Sequence, residues 1–149
     1  MTHVRTQIRA AAVALATGLT TTGANVFESR RIGLQETSLP CWIVRTEGED
    51  HSPDGRAGSE IERDLELVFE GYTLDASGND GQDTIDVMLS ELEIAIDADR
   101  KLGGLLNDSR LIAIEPDTGD EDASQVIAGV RITYMAKYIT NRGDPETAI

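Results

Sequence analysis

From Ser124 to Ile139 the sequence alternates. Val126, Val130, Ile132, Tyr134 and Tyr138 share one side of an extended chain, and Ile127, Arg131, Thr133, Met135 and Lys137 share the other. A period of two held over roughly fifteen residues marks a β-strand, in a class where ~5–6 residues is ordinary. Such a strand needs partners along its length and an apolar layer against one face, which restricts the chain to folds built on a sheet. Its second side is too mixed for simple solvation, and a long edge with an amphipathic outer face invites pairing with another chain.

The partners are visible upstream. Ile61, Leu65, Leu67 and Phe69 cluster in one segment whose alternate positions hold Glu62, Asp64, Glu66, Val68 and Glu70, a half-buried strand with a row of carboxylates on one face. Val26 and Phe27 mark a short strand. Leu39 to Arg45 marks another with Pro40 at its start, and Leu111 to Ile114 a further one stopped by Pro116.

Two segments carry the helical period instead. Val4, Ile8, Ala11, Ala12, Leu15 and Leu19 recur at three and four residues, which predicts a helix over about Thr2 to Thr17, with Thr2 as N-cap and Gly18 ending it. The same segment has the basic start, apolar run and small residues (Thr22-Gly23-Ala24) of a secretory leader. The separate i, i+4 stripe of Arg5 and Arg9 favours an amphipathic helix that belongs to the fold. From Asp83 or Thr84 to about Asp99, Ile85, Met88, Leu89, Leu92, Ala95 and Ile96 form one apolar stripe, with Asp86, Ser90, Glu93 and Asp97 facing water.

These elements read as one domain over residues 1–149, with mobile loops near 47–60 and 117–123 and a polar tail over 140–149. The expected fold is α+β: a mostly antiparallel sheet of about five strands with both amphipathic helices on one face.

Composition narrows the chemistry. The 149 residues include 27 acidic and 13 basic side chains, a net charge of −14, so the surface repels a polyanion and no general nucleic-acid binder is expected. No apolar run reaches the ~18 residues of a membrane span. The charge is uneven: residues 1–45 carry five Arg against Glu28 and Glu36, a net of +3, whereas residues 46–149 carry −17. Eleven of the thirteen basic residues are Arg, the side chain enriched in protein interfaces, which points to self-association.

Cys41 is the only cysteine, and His3 and His51 the only histidines, so an intramolecular disulfide, multi-cysteine zinc sites and histidine clusters are excluded. Cys41 with His51 is the one thiol and imidazole pair available to a small thiol enzyme, but Cys41 lies in an apolar strand. The segment Asp75 to Asp86 alternates oxygen ligands as a calcium loop does. It places Asp80 where such a loop needs Gly and Asp86 where it needs a bidentate Glu. Asp117, Asp120, Glu121 and Asp122 are acidic without ligand spacing, and no glycine-rich phosphate loop is present.

Arg5-x-x-Ile8 opening an alanine-rich helix, then Val26-Phe27-Glu28-Ser29-Arg30, then Leu39-Pro40-Cys41-Trp42-Ile43-Val44 resembles the start of the tail terminator proteins of long-tailed bacteriophages. The later order is similar too: Arg63-Asp64-Leu65-Glu66-Leu67, the helix from Asp83-Thr84-Ile85-Asp86, Leu102-Gly103-Gly104, and a closing strand through Tyr134 and Tyr138. The resemblance implies a structural virion protein that forms a homohexameric ring on the last ring of the tail tube protein. Such a ring stops tube growth and presents a surface to the head–tail connector. Genomic DNA would pass its lumen without sequence-specific binding, and no enzymatic activity, cofactor or metal is implied. The protein would assemble in the host cytoplasm and reside at the tail–neck junction. Another neck or head–tail joining protein is the alternative within that class, and a small calcium-binding module the alternative outside it.

Arg30, Arg31, Arg45 and Arg63 are the expected subunit or tube contacts, because opposite charge in the two sequence halves suits a heterologous, ring-closing interface. Charge reversal of Arg30 and Arg31 is expected to weaken ring formation and tube capping. Sedimentation and electron microscopy check this, and unchanged assembly removes both residues from the interface.

Overall fold

The two alternating segments pair with each other. In the computed structural model, which describes residues 2–28, 39–53, 59–74, 80–117 and 127–149, β3 (Glu60–Leu74) and β5 (Ile127–Asn141) run antiparallel in unbroken register from Glu60↔Asn141 to Leu74↔Ile127. Around this pair lie β1 (Val26–Glu28), β2 (Cys41–Pro53) and β4 (Asp108–Pro116), giving a five-stranded sheet in the order β1-β2-β3-β5-β4. All neighbours are antiparallel except β1, which runs parallel to β2. The expected α+β architecture is the observed one, with a mostly antiparallel sheet in which the β1–β2 pair is parallel.

Helices α1 (Val4–Ala16) and α2 (Asp80–Ala98) join a single apolar cluster with one face of the sheet. Val4, Ile8, Ala12 and Ala16 of α1 recur every fourth residue, and Ile85, Met88, Leu89, Leu92 and Ile96 form the stripe of α2; all are buried. Against them the sheet sets Trp42 and Val44, then Leu65, Leu67 and Phe69, then Val130, Ile132, Tyr134, Ala136 and Tyr138. The aromatic rings meet edge to face: Trp42 and Phe69 at 6.4 Å, Phe69 and Tyr134 at 6.0 Å.

Gly71 faces Trp42 across the β2–β3 ladder, and a Cβ there would stand 2.7 Å from Trp42 Cζ3 and 3.1 Å from Met88 Cε. The indole lies where a side chain would otherwise be.

Several element ends differ from the sequence reading. The N-cap of α1 is His3, whose Nδ1 accepts from the Arg5 amide at 3.1 Å, in place of Thr2. Residues 47–53, expected within a mobile loop, continue β2, because a bulge between Thr46 and Glu49 absorbs the irregular residues and lets pairing with β3 resume at Glu49↔Leu65. The tail from 140 onward is folded. Thr140 and Asn141 complete β5, Ala148 bridges back to Thr140, and the Ile149 amide donates to the Ile139 carbonyl at 2.9 Å. Pro145 O also accepts from the Val4 amide at 2.9 Å, so the end of the chain satisfies an otherwise orphan donor at the start of α1. Of the expected acidic loop at 117–123, residues 118–123 lie outside the described residues, as do residues 54–58 of the upstream loop.

Gly71→Ala is expected to cost about 1–3 kcal/mol of stability, since the added methyl collides with a ring that cannot swing away. Urea denaturation followed by the fluorescence of the single tryptophan, Trp42, checks it.

Candidate interaction surface

On β3 the residues between the core positions point away from the helices. Glu62, Asp64, Glu66, Val68, Glu70 and Tyr72 form this second row, beside Arg131, Thr133, Met135 and Lys137 of β5. The carboxylate row expected on one face of this strand therefore lies on the face that no described helix covers. Toward β2 it becomes an ion-pair network. Arg45 engages Glu70 and, at 3.2 Å, Glu47; Arg131 engages Glu47 and lies 3.9 Å from Glu70. The Tyr72 hydroxyl donates to Asp117 Oδ2 at 2.5 Å, with Glu70 Oε2 at 3.1 Å. Burial, the Asp117 hydrogen bond and the Glu70 charge raise the Tyr72 phenol above its ordinary range, so it stays a donor. Farther along, Lys137 pairs with Glu62.

On the helix-bearing face, beyond the core, lies a second polar cluster. Arg63 is only 8% exposed; its guanidinium donates to Thr140 Oγ1 at 3.0 Å and Glu49 Oε2 at 3.1 Å and lies 5.8 Å from the centre of the Tyr138 ring. The Tyr138 hydroxyl donates to Glu49 Oε1, and His51 Nε2 lies 2.5 Å from Glu49 Oε2. Burial alone would raise the Glu49 carboxyl. The hydrogen bonds from Tyr138 and His51 and the Arg63 charge outweigh it and hold the group below its ordinary value of 4.5.

The four arginines expected at interfaces thus fall in three settings. Arg30 and Arg31 lie outside the described residues. Arg45 is partly exposed on the helix-free face with two carboxylate partners, and Arg63 is an internal ion-pair residue. The Glu49 cluster escaped the sequence reading, although one signal pointed to it. Arg63 falls in phase with Leu65, Leu67 and Phe69, and a charge in phase with core residues calls for a buried partner.

Cys41 and His51 sit ten residues apart on the same strand, about 30 Å at the rise of extended chain, which separates the thiol from the imidazole. Among the described residues no three His, Cys, Asp or Glu side chains are grouped to hold a metal ion, and residues 75–79 of the calcium-like segment lie outside them. No helix among the described residues is long and apolar enough to cross a membrane. At the β4 edge, Leu111, Ile112 and Ile114 are exposed, and a cleft of about 540 Å³ opens between α2 and β4, walled by Ile94, Asp97, Arg100, Leu111 and Tyr134.

No protein-family model and no curated protein matches the chain.

Removing one member of the buried pair is expected to be severe: Arg63→Met takes the guanidinium from Glu49, leaving it the hydrogen bonds of Tyr138 and His51, and costs about 3–5 kcal/mol at neutral pH. Because the folded-state pKa of Glu49 is depressed, its contribution is full above the ordinary value of 4.5 and is lost as pH falls through the lower folded value. Urea titrations from neutrality down through the carboxylate range should show a flatter acid limb in Glu49→Gln than in the parent.

Proposed function

We propose that this chain is a structural virion protein of a long-tailed phage, assembling as a homohexameric ring on the end of the tail tube, ending tube growth and meeting the head–tail connector. The reading rests on the order of segments that resembles tail terminators. The structural observation that carries it furthest is the sheet face that no described helix covers, with Glu62, Asp64 and Glu66 in one row. Turned toward a lumen, such a face would repel DNA phosphates at contact range, within the ~8 Å over which physiological salt leaves charges felt. DNA would then slide past without adhering.

In this reading the protein works through surface shape and charge and makes or breaks no bond. Its partners are further copies of itself, the tube protein and a connector or neck protein, and its location is the virion. Arg45, on the helix-free face, remains a contact alongside Arg30 and Arg31. Arg63 supports the subunit from within.

Mixing the purified chain with tail tubes and imaging by negative stain tests the proposal. Capped ends and a fixed distribution of tube lengths are expected. Bare ends with continued growth, or chains bound only along the tube sides, would overturn it.

A further inference from the structure

Strand β4 closes one side of the sheet, and among the described residues it pairs only with β5. Natural edges are usually kept short or blunted by charged side chains, Pro or β-bulges, and β4 has Pro116 at its end and a bulge after Leu111. It is nonetheless nine residues long and shows Leu111, Ile112 and Ile114 at 39%, 48% and 44% exposure. The α2 helix does not close over it, and the cleft between α2 and β4 leaves the helix-bearing side of Leu111 open.

The register holds a further feature. Pairing with β5 runs to Leu111↔Tyr134 and resumes at Ala113↔Thr133, so Ile112 is an inserted residue. In a regular strand Arg110 and Glu115, five positions apart, would point to opposite faces. The insertion shifts the phase by one. Arg110 and Glu115 consequently share the helix-free face, opposite Met135 and Arg131, and both are exposed. Leu111 and Ile114 share the other face, opposite Tyr134 and Ile132.

An edge arranged this way is complementary to itself. A two-fold axis perpendicular to the sheet, passing between Ile112 and Ala113, would set two β4 strands antiparallel with like faces together. Arg110 would then stand opposite Glu115 twice, and Leu111 opposite Ile114 twice. We propose that the free chain dimerises by antiparallel pairing of two β4 edges in this register, joining two five-stranded sheets into one. A dyad contact closes on itself and does not propagate around a ring, so the inference concerns the chain away from any tube and does not rest on the tail reading.

Sedimentation equilibrium of the full-length chain alone is expected to give a mass twice the 16.1 kDa of one copy. Arg110→Glu and Glu115→Arg each create two like-charge pairs and should raise the dissociation constant by about tenfold or more. The double variant, with both charges exchanged, restores opposite pairs and should recover the parent value. Unchanged far-UV circular dichroism confirms that each variant is folded. A monomer at every concentration reached would overturn the proposal. So would a dimer indifferent to the single reversals, or single defects that the double exchange fails to repair.

Discussion

The antiparallel ladder between β3 and β5 is the interaction on which the rest of the structure depends. Its fifteen-residue strands, paired without a break, are long enough to carry three settings on one piece of sheet. Over the part covered by α1 and α2, the inward side is apolar and holds the aromatic contacts of Trp42, Phe69 and Tyr134. Past the helices the same side becomes polar, with Arg63 and Tyr138 facing each other across the ladder and sharing Glu49. The reverse side mixes charged residues (Glu62, Asp64, Glu66, Glu70, Arg131, Lys137) with Val68, Thr133 and Met135. A shorter ladder would have had no room for the polar end, and Arg63 would have lacked the buried acceptors that make its position tolerable.

Much of this was legible in the sequence, because burial imposes a period and the period can be read. The stripe of α2, the alternation of β3 and β5, the carboxylate row, and the placing of both helices on one face follow from Ile85 to Ile96, Leu65 to Phe69 and Val130 to Tyr138. What was not legible falls where the period breaks. The bulge after Thr46 moves Glu49 onto the helix-bearing face, and polar residues from Glu47 onward look like a loop unless their partners on β3 and β5 are known. The inserted Ile112 likewise re-phases β4, which the short apolar run Leu111 to Ile114 does not betray. Both are decided by pairing with residues far along the chain.

The candidate site was legible only in part, for a related reason. An arginine's identity says that it can pair with carboxylates, but not whether the carboxylate is across a strand or on another molecule. Arg45 and Arg131 gather Glu47 and Glu70 on one face, and Arg63 gathers Glu49 on the other. Of these pairs, those of Arg45 join the basic first part of the sequence to the acidic remainder within one subunit.

The clasp between the last residues and α1 bears on how the molecule is made. The amide of Val4 finds its acceptor in Pro145, and the Gln7 side chain reaches the carbonyl of Glu146 at 2.8 Å. Synthesis delivers α1 before every strand of the sheet and its seal after them, so the opening turn of the helix is secured only once β1 to β5 have been made.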